Sequence, residues 1–361
     1  LNDSPFDRLR EVVLTWRLTI REYDENGEEI ATRYGTGGQM LQGISAFLFQ
    51  LHGLQRLTLR HLLLDSVEGP EFMNEILHHF GTSIRYLCLR NFTKLQIDDE
   101  AIELVLQLRC LLHLVIVQDE YTCTKELLPV SARTWRRFIA SQPDTRVHLQ
   151  CRDLCEEELL VQPSAPVYSI VYSNPSAQLT PKIVNEIAEN YAACLAVFVQ
   201  KGLARRFRSR KFEDRADLSV VSLARQCKAL HTLAIREHVS TATVLLVAHI
   251  TVANARFRCR DQYQLQLTLH EQVSVDTGNA GKVDMSSPSS QFSLFVRKNA
   301  ILKRPHDWSY DSNANTWSTA FYSDLVKAAS SYEATQDAVA KLYGSPGWCF
   351  ASDSRYMGLF A

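Results

Sequence analysis

The sequence predicts an α/β fold, a leucine-rich-repeat-like solenoid with irregular repeats and a C-terminal cap. Three observations carry that expectation. A strand signature of the form L-x-x-L-x-L recurs along the chain, one-sided helical faces lie between its copies, and the final segment is rich in aromatic residues.

Taken in chain order, residues 1–45 form an N-terminal flanking segment. It holds one strand-like stretch, Val13 to Ile20, and two turn-rich stretches, Asp24 to Gly27 and Gly35 to Gly38. Residues 46–271 form the expected solenoid. Leu54-Gln-Arg-Leu57-Thr-Leu59-Arg60 fits the template, and Ile84-Arg-Tyr-Leu87-Cys-Leu89-Arg90 repeats it down to the closing arginine. Leu111 to Ile116 and Leu230 to Arg236 are further copies, and weaker ones lie at Arg146–Cys151, Val167–Tyr172, Cys194–Val199 and Tyr263–Leu269. Their central apolar residues stand at 57, 87, 114, 147, 170, 197, 233 and 267, with gaps that bracket or exceed the usual repeat of roughly 20–29 residues.

Helices fill the gaps. Pro70 to Phe80 places Phe72, Met73, Ile76, Leu77 and Phe80 on one side. Asp98 to Leu108 begins with acidic residues, which suit a helix N-terminus. Thr180 to Asn190 opens with a capping threonine and then Pro181, whose missing N–H is no loss in the first turn. Ser240 to Ile250 is apolar on most sides, as a deeply packed helix is. Strand followed by helix also fits a doubly wound α/β domain, but no glycine-rich turn follows a strand where such a domain binds its dinucleotide. Residues 272–292 read as a flexible loop of small polar residues, and 293–361 as an aromatic C-terminal cap over the last open hydrophobic face.

Composition narrows the function. The 361 residues carry 39 basic and 40 acidic side chains, so a general nucleic-acid or anionic-membrane binder is not expected. No apolar run reaches the length of a spanning helix, since Ala242 to Ala255 is interrupted by His249. Nine cysteines, odd in number and irregularly placed, read as reduced thiols of a cytoplasmic or nuclear protein. The chain opens on Leu1 and not on an initiator methionine, which suggests a piece of a longer reading frame or a processed chain, and its start lacks a signal-peptide layout. Asn2-Asp3-Ser4 and Asn91-Phe92-Thr93 match a glycosylation triplet that is common by chance.

Catalytic and metal signatures fail one by one. Gly278-Asn-Ala-Gly281-Lys282 lacks phosphate-loop spacing, and Val283 stands where a metal-binding hydroxyl belongs. Cys151 and Cys155 form a lone C-x₃-C without a second ligand pair. His78 and His79 are adjacent on a helix and point apart. No G-x-S-x-G or H-E-x-x-H occurs. The basic run Lys201 to Lys211 reads first as a solvated face, with docking of an acidic partner or nuclear import as the sharper alternatives. The expectation is therefore a non-catalytic chain with no cofactor and no metal.

Binding is expected on the concave face of the strands. Side chains between the inward leucines alternate onto it, which selects Arg56, Thr58, Arg60, Tyr86, Cys88, Arg90, His113, His148 and Arg236 as contacts for a protein partner.

On the units Leu54–Arg60, Ile84–Arg90, Leu111–Ile116 and Leu230–Arg236, residues 45–270 resemble the leucine-rich region of F-box proteins, in particular the irregular F-box-only type. The resemblance implies the substrate-recognition part of an SCF-type (Skp–cullin–F-box) ubiquitin ligase, with the repeats holding a protein substrate and ubiquitin transfer done by partner enzymes. An F-box would dock on the Skp-type adaptor. None is visible here: Asn2 to Leu9 has no Leu-Pro-x-Glu start and no helical core after it. Skp and cullin are thus implied only if an F-box precedes Leu1. The alternative is an F-box-independent repeat scaffold or inhibitor that binds another protein.

Overall fold

The computed structural model describes residues 9–16, 19–23, 25–34, 41–65, 67–92, 98–119, 129–152, 162–173, 178–203, 215–255, 292–297, 301–302, 327–343 and 348–358. Two compact units divide between Asn174 and Pro175.

The first unit is built on a parallel sheet. Strands β1 (Glu11–Thr15), β4 (Arg56–Arg60), β5 (Tyr86–Arg90), β6 (His113–Gln118), β7 (Arg146–Cys151) and β8 (Val167–Tyr172) lie side by side in chain order. β2 (Thr19–Tyr23) and β3 (Glu29–Tyr34) form a separate antiparallel pair, closed by a turn at Gly27 with φ 80°. The expected strand Val13–Ile20 is thus two strands, broken between Thr15 and Thr19.

Helices α1 (Leu41–Leu48), α2 (Glu68–Phe80), α3 (Asp99–Val105) and α4 (Ala132–Ser141) alternate with the strands. Their starts follow from local chemistry. Asp65 Oδ1 accepts the backbone N–H groups of Val67 and Glu68, both at 2.8 Å, as α2 begins. Asp98 Oδ1 accepts Ala101 N–H at the start of α3, and Ser131 Oγ accepts Thr134 N–H at the start of α4. Buried Gln142 donates through Nε2 to the carbonyls of Leu106 and Leu108, which satisfies the open end of α3. Leu57, Leu59, Leu87, Leu89, Leu114, Ile116, Val147 and Leu149 are buried on one sheet face, as are Phe72, Ile76, Phe80, Ile102, Trp135 and Phe138 on the helices.

The second unit repeats the logic. β9 (Val197–Gln200), β10 (Thr232–Ile235), β12 (Ser293–Arg297) and β14 (Trp348–Ala351) run parallel, and the short strands β11 (Val239–Ser240) and β13 (Ile301–Leu302) pair with each other. Helices α5 (Pro181–Tyr191), α6 (Asp217–Gln226), 241–255, Tyr332–Tyr343 and Asp353–Gly358 accompany them. Thr180 caps α5 by accepting Ile183 N–H, with Pro181 at its first turn, as its sequence requires. A buried Arg297 donates Nε to Asp353 Oδ1 at 2.7 Å and Nη2 to Oδ2 at 3.2 Å, tying β12 to the last helix.

The expected leucine-rich-repeat-like solenoid with a C-terminal cap is corrected by this architecture. Helices alternate with the parallel strands of an α/β fold, closer to a doubly wound domain than to a curved solenoid. The sheet face assigned as an open concave surface is also closed in its middle: Thr58, Cys88, Val115 and Val117 are 2–6% exposed. Parallel strands covered on both faces carry near-continuous apolar runs. L-x-x-L-x-L reports only the face that its leucines occupy, so it fits such a strand as well as a repeat. Nor is 293–361 a cap, because β12 and β14 inside it extend the sheet from β10. The expected flexible loop falls outside the described residues except at Phe292, as do Tyr263–Leu269, Gly35–Gly38, Gly278–Lys282, Cys155 and residues 204–211 of the basic run.

Among the described residues, no helix is long and apolar enough to cross a membrane.

Candidate binding face

Pairing register sorts the second sheet face of the first unit into three rows. The row at the amino ends of the strands runs Glu11, Arg56, Tyr86, His113, Arg146. The middle row runs Val13, Thr58, Cys88, Val115, His148, Ser169. The row at the carboxyl ends runs Thr15, Arg60, Arg90, Val117, Gln150, Val171. Eight of the nine sequence-selected residues therefore share one face of one sheet. Arg236 is the ninth; it belongs to the second unit, 1% exposed, and donates Nη1 to Lys201 O at 2.9 Å.

The amino-end row is an alternation of cations and rings. Arg56 lies 4.1 Å from the Tyr86 ring centroid and 3.4 Å from Glu11 Oε1, its side chain 47% exposed. Arg146 lies 4.4 Å above Tyr168. Tyr168 reaches this face because the ladder slips between Val147 and His148: Val147 pairs with Val167, but His148 pairs with Ser169. The extra residue of such a bulge is re-aimed out of the alternation, and here it is a tyrosine.

Two histidines link this row to the middle one. His113 Nδ1 lies 3.0 Å from His148 Nε2, and His148 Nδ1 lies 2.7 Å from Ser169 Oγ. Burial pushes the His148 imidazole from its ordinary value near 6.5 down to about 4, helped by His113 and Arg146. His113 is lowered by burial and then by Arg146 and Arg56. Both rings are neutral at pH 7, and the three groups form one directional chain of hydrogen bonds. A neutral histidine beside a serine hydroxyl has general-base geometry, but Ser169 is only 6% exposed. Its hydroxyl orders the imidazole rather than meeting a substrate.

The middle row is closely packed from Thr58 to Val115 and again at Ser169. Burial raises the Cys88 thiol above its ordinary value, partly offset by Arg60, Arg152 and Arg90. Burial raises the Tyr86 phenol too, reinforced by Cys88 and opposed by Arg56, Arg152 and Arg60. Cys88 thus stays a protonated, packed thiol at pH 7.

At the carboxyl ends, Asp119 is fully buried and accepts from Arg90 Nε and from Asn91 Nδ2 at 2.9 and 3.0 Å. Asn91 stands at φ 47°, a left-handed conformation that asparagine tolerates, and its Nδ2 also lies 3.3 Å from His61 Nδ1. Arg152 donates Nε and Nη2 to Gln150 Oε1 at 3.2 and 2.9 Å.

Sequence reading missed Arg146, Arg152, Tyr168, Ser169 and Asp119. The last two residue types carry no period of their own, and Tyr168 depends on a bulge that no spacing announces. Arg146 and Arg152 flank a weak strand copy and were readable from the same alternation. Among the described residues, no group of three or more His, Cys, Asp or Glu side chains is placed to hold a metal ion. No family model matches the chain, and no curated protein matches it significantly.

Proposed function

We propose that this chain is a protein-recognition module whose amino-end row, Arg56, Tyr86, His113, Arg146 and Tyr168, holds a partner protein. The observation that carries the reading is the pair of arginines seated on tyrosines across β4 to β8, with His113 between them. Arginine and tyrosine concentrate binding energy because each joins a large rigid contact area to directional hydrogen bonds. Stacking also fixes each guanidinium before association, which reduces the entropy lost on binding. Two arginines against one glutamate favour a partner that presents carboxylates along the row.

The narrower role implied by the resemblance is substrate capture for a cullin ubiquitin ligase. Recovery of Skp and cullin with the full-length protein supports it; their absence removes the ligase role and leaves the binding face standing.

Quantitative affinity capture from cell extract tests the main reading. R56Q and R146Q should each lower recovery of the same discrete proteins about tenfold, as truncation of an interface arginine does. R133Q, on the exposed side of α4, should not. Equal recovery by all three variants would overturn the assignment.

A further inference from the structure

His113 occupies the middle of the amino-end row, partly buried, with Tyr86 opposite it on β5 and Arg146 opposite it on β7. Its Nδ1 is turned toward His148 Nε2 at 3.0 Å, and its own Nε2 has no hydrogen-bond partner among the described residues. Arg146 is exposed and makes no ion pair among those residues; its guanidinium rests on the Tyr168 ring. Beyond Tyr86, Arg56 is paired with Glu11, the one carboxylate of the row. The groups around the imidazole are thus Glu11 and Arg56 on β1 and β4, Tyr86 and Cys88 on β5, Arg146 and His148 on β7, and Tyr168 and Ser169 on β8. Arg85 and Asp144, at the entries to β5 and β7, are exposed, and neither is bonded to the ring. Burial, then Arg146 and Arg56, hold the His113 imidazole below its ordinary value.

We infer that the row binds a side-chain carboxylate of an acidic polypeptide between His113 Nε2 and Arg146, and that His113 takes up one proton from solvent as the complex forms. This rests on the reading of the row as a recognition surface, and adds its ligand chemistry and its control by pH. A carboxylate at that place offsets both arginines and stabilises the imidazolium through a charge-assisted hydrogen bond. His148 is a positioning residue. Charged His113 donates Nδ1–H to His148 Nε2, and His148 then donates Nδ1–H to Ser169 Oγ at 2.7 Å. Both N–H groups of the imidazolium are satisfied, one by the carboxylate and one by a ring that stays neutral down to about pH 4. Because bound His113 holds its proton more tightly than free His113, affinity rises as pH falls from the bound value toward the lower free one. One linked proton gives at most about tenfold per pH unit.

The test is binding of a rhodamine-labelled decapeptide of alternating glutamate and glycine to the whole chain, with the glutamine–glycine peptide as control. Anisotropy at low ionic strength reads affinity at pH 7.5 and 6.0, where glutamate stays ionised. Calorimetry at pH 6.5 in two buffers of different ionisation enthalpy counts the protons taken up by wild type. Wild type should bind the glutamate peptide about fivefold more tightly at pH 6.0 than at 7.5, with net proton uptake. H113Q should lose both the pH dependence and the uptake while keeping its circular-dichroism spectrum. Binding that R146Q weakens but that is independent of pH, or that keeps its pH dependence in H113Q, overturns the inference and leaves the recognition surface standing. Absence of saturable binding at either pH also overturns it, and the capture experiment with R56Q and R146Q then decides the recognition surface separately.

Discussion

Lowering the pH should destabilise the first unit through His148. The side chain is mostly buried, and its imidazole is held neutral down to about pH 4 against about 6.5 when unfolded. A base whose native value is depressed binds more protons in the unfolded chain throughout the interval between the two values. Stability is therefore complete above about pH 6.5 and is lost as pH falls toward 4. With those two values, the loss between pH 7.5 and 4.5 is about 2.5 kcal/mol, since each tenfold change in proton affinity is worth about 1.4 kcal/mol. That is a large part of the stability of an ordinary domain. Urea unfolding at closely spaced pH values, for wild type and H148Q, isolates the contribution, because carboxylates common to both chains cancel in the difference. H148Q should lose its excess pH dependence between 6.5 and 4 while keeping a hydrogen bond to Ser169. Parallel pH profiles for the two proteins would refute the reasoning, and would mean that His148 is hydrated or already charged in the native sheet.

Other perturbations follow from the same geometry. D119A leaves Arg90 without its buried partner and should cost about 3–5 kcal/mol in urea unfolding; a loss below 1 kcal/mol would show that water compensates Arg90. Burial pushes the Cys227 thiol up to about 12, with Cys194 adding to it, whereas Cys110 is exposed. Iodoacetamide at pH 8 should therefore alkylate Cys110 in the native protein and leave Cys227 unmodified until urea is added, as peptide mass mapping will read. Gly81 ends α2 where an added Cβ would lie 2.6 Å from the carbonyl oxygen of Leu77, a backbone atom that cannot swing aside. G81A should then lower stability by about 1–3 kcal/mol, measured by thermal melting, despite the better helix propensity of alanine.

How far the fold was legible depends on what each signal reports. Leu57, Leu87, Leu114 and Leu233 mark strands reliably, because alternation in a strand follows from the pleat itself. Thr180 with Pro181 marked α5 to within a residue, because both act through local hydrogen bonding. The same leucines could not say what covers the opposite face. Cys88, Val115 and Val117 are apolar enough to be buried there, and a strand of the type buried on both sides was read as a one-sided repeat. The candidate face was legible wherever it needed only alternation, as for Arg56, Tyr86 and His113. It was illegible at Tyr168, which a bulge re-aims, and at Asp119, whose partner Arg90 lies 29 residues earlier and becomes a neighbour only through the sheet.

Photo-cross-linking tests the binding face most directly. A benzophenone side chain placed at Glu11, an exposed position of the amino-end row beside Arg56, should capture a partner protein in cells. That adduct should disappear when R146Q is added, and the same group at Arg133 on α4 should not produce it. An adduct from Arg133 alone, or one from Glu11 that survives R146Q undiminished, would contradict the assignment of the Arg56–Tyr168 row as the recognition surface.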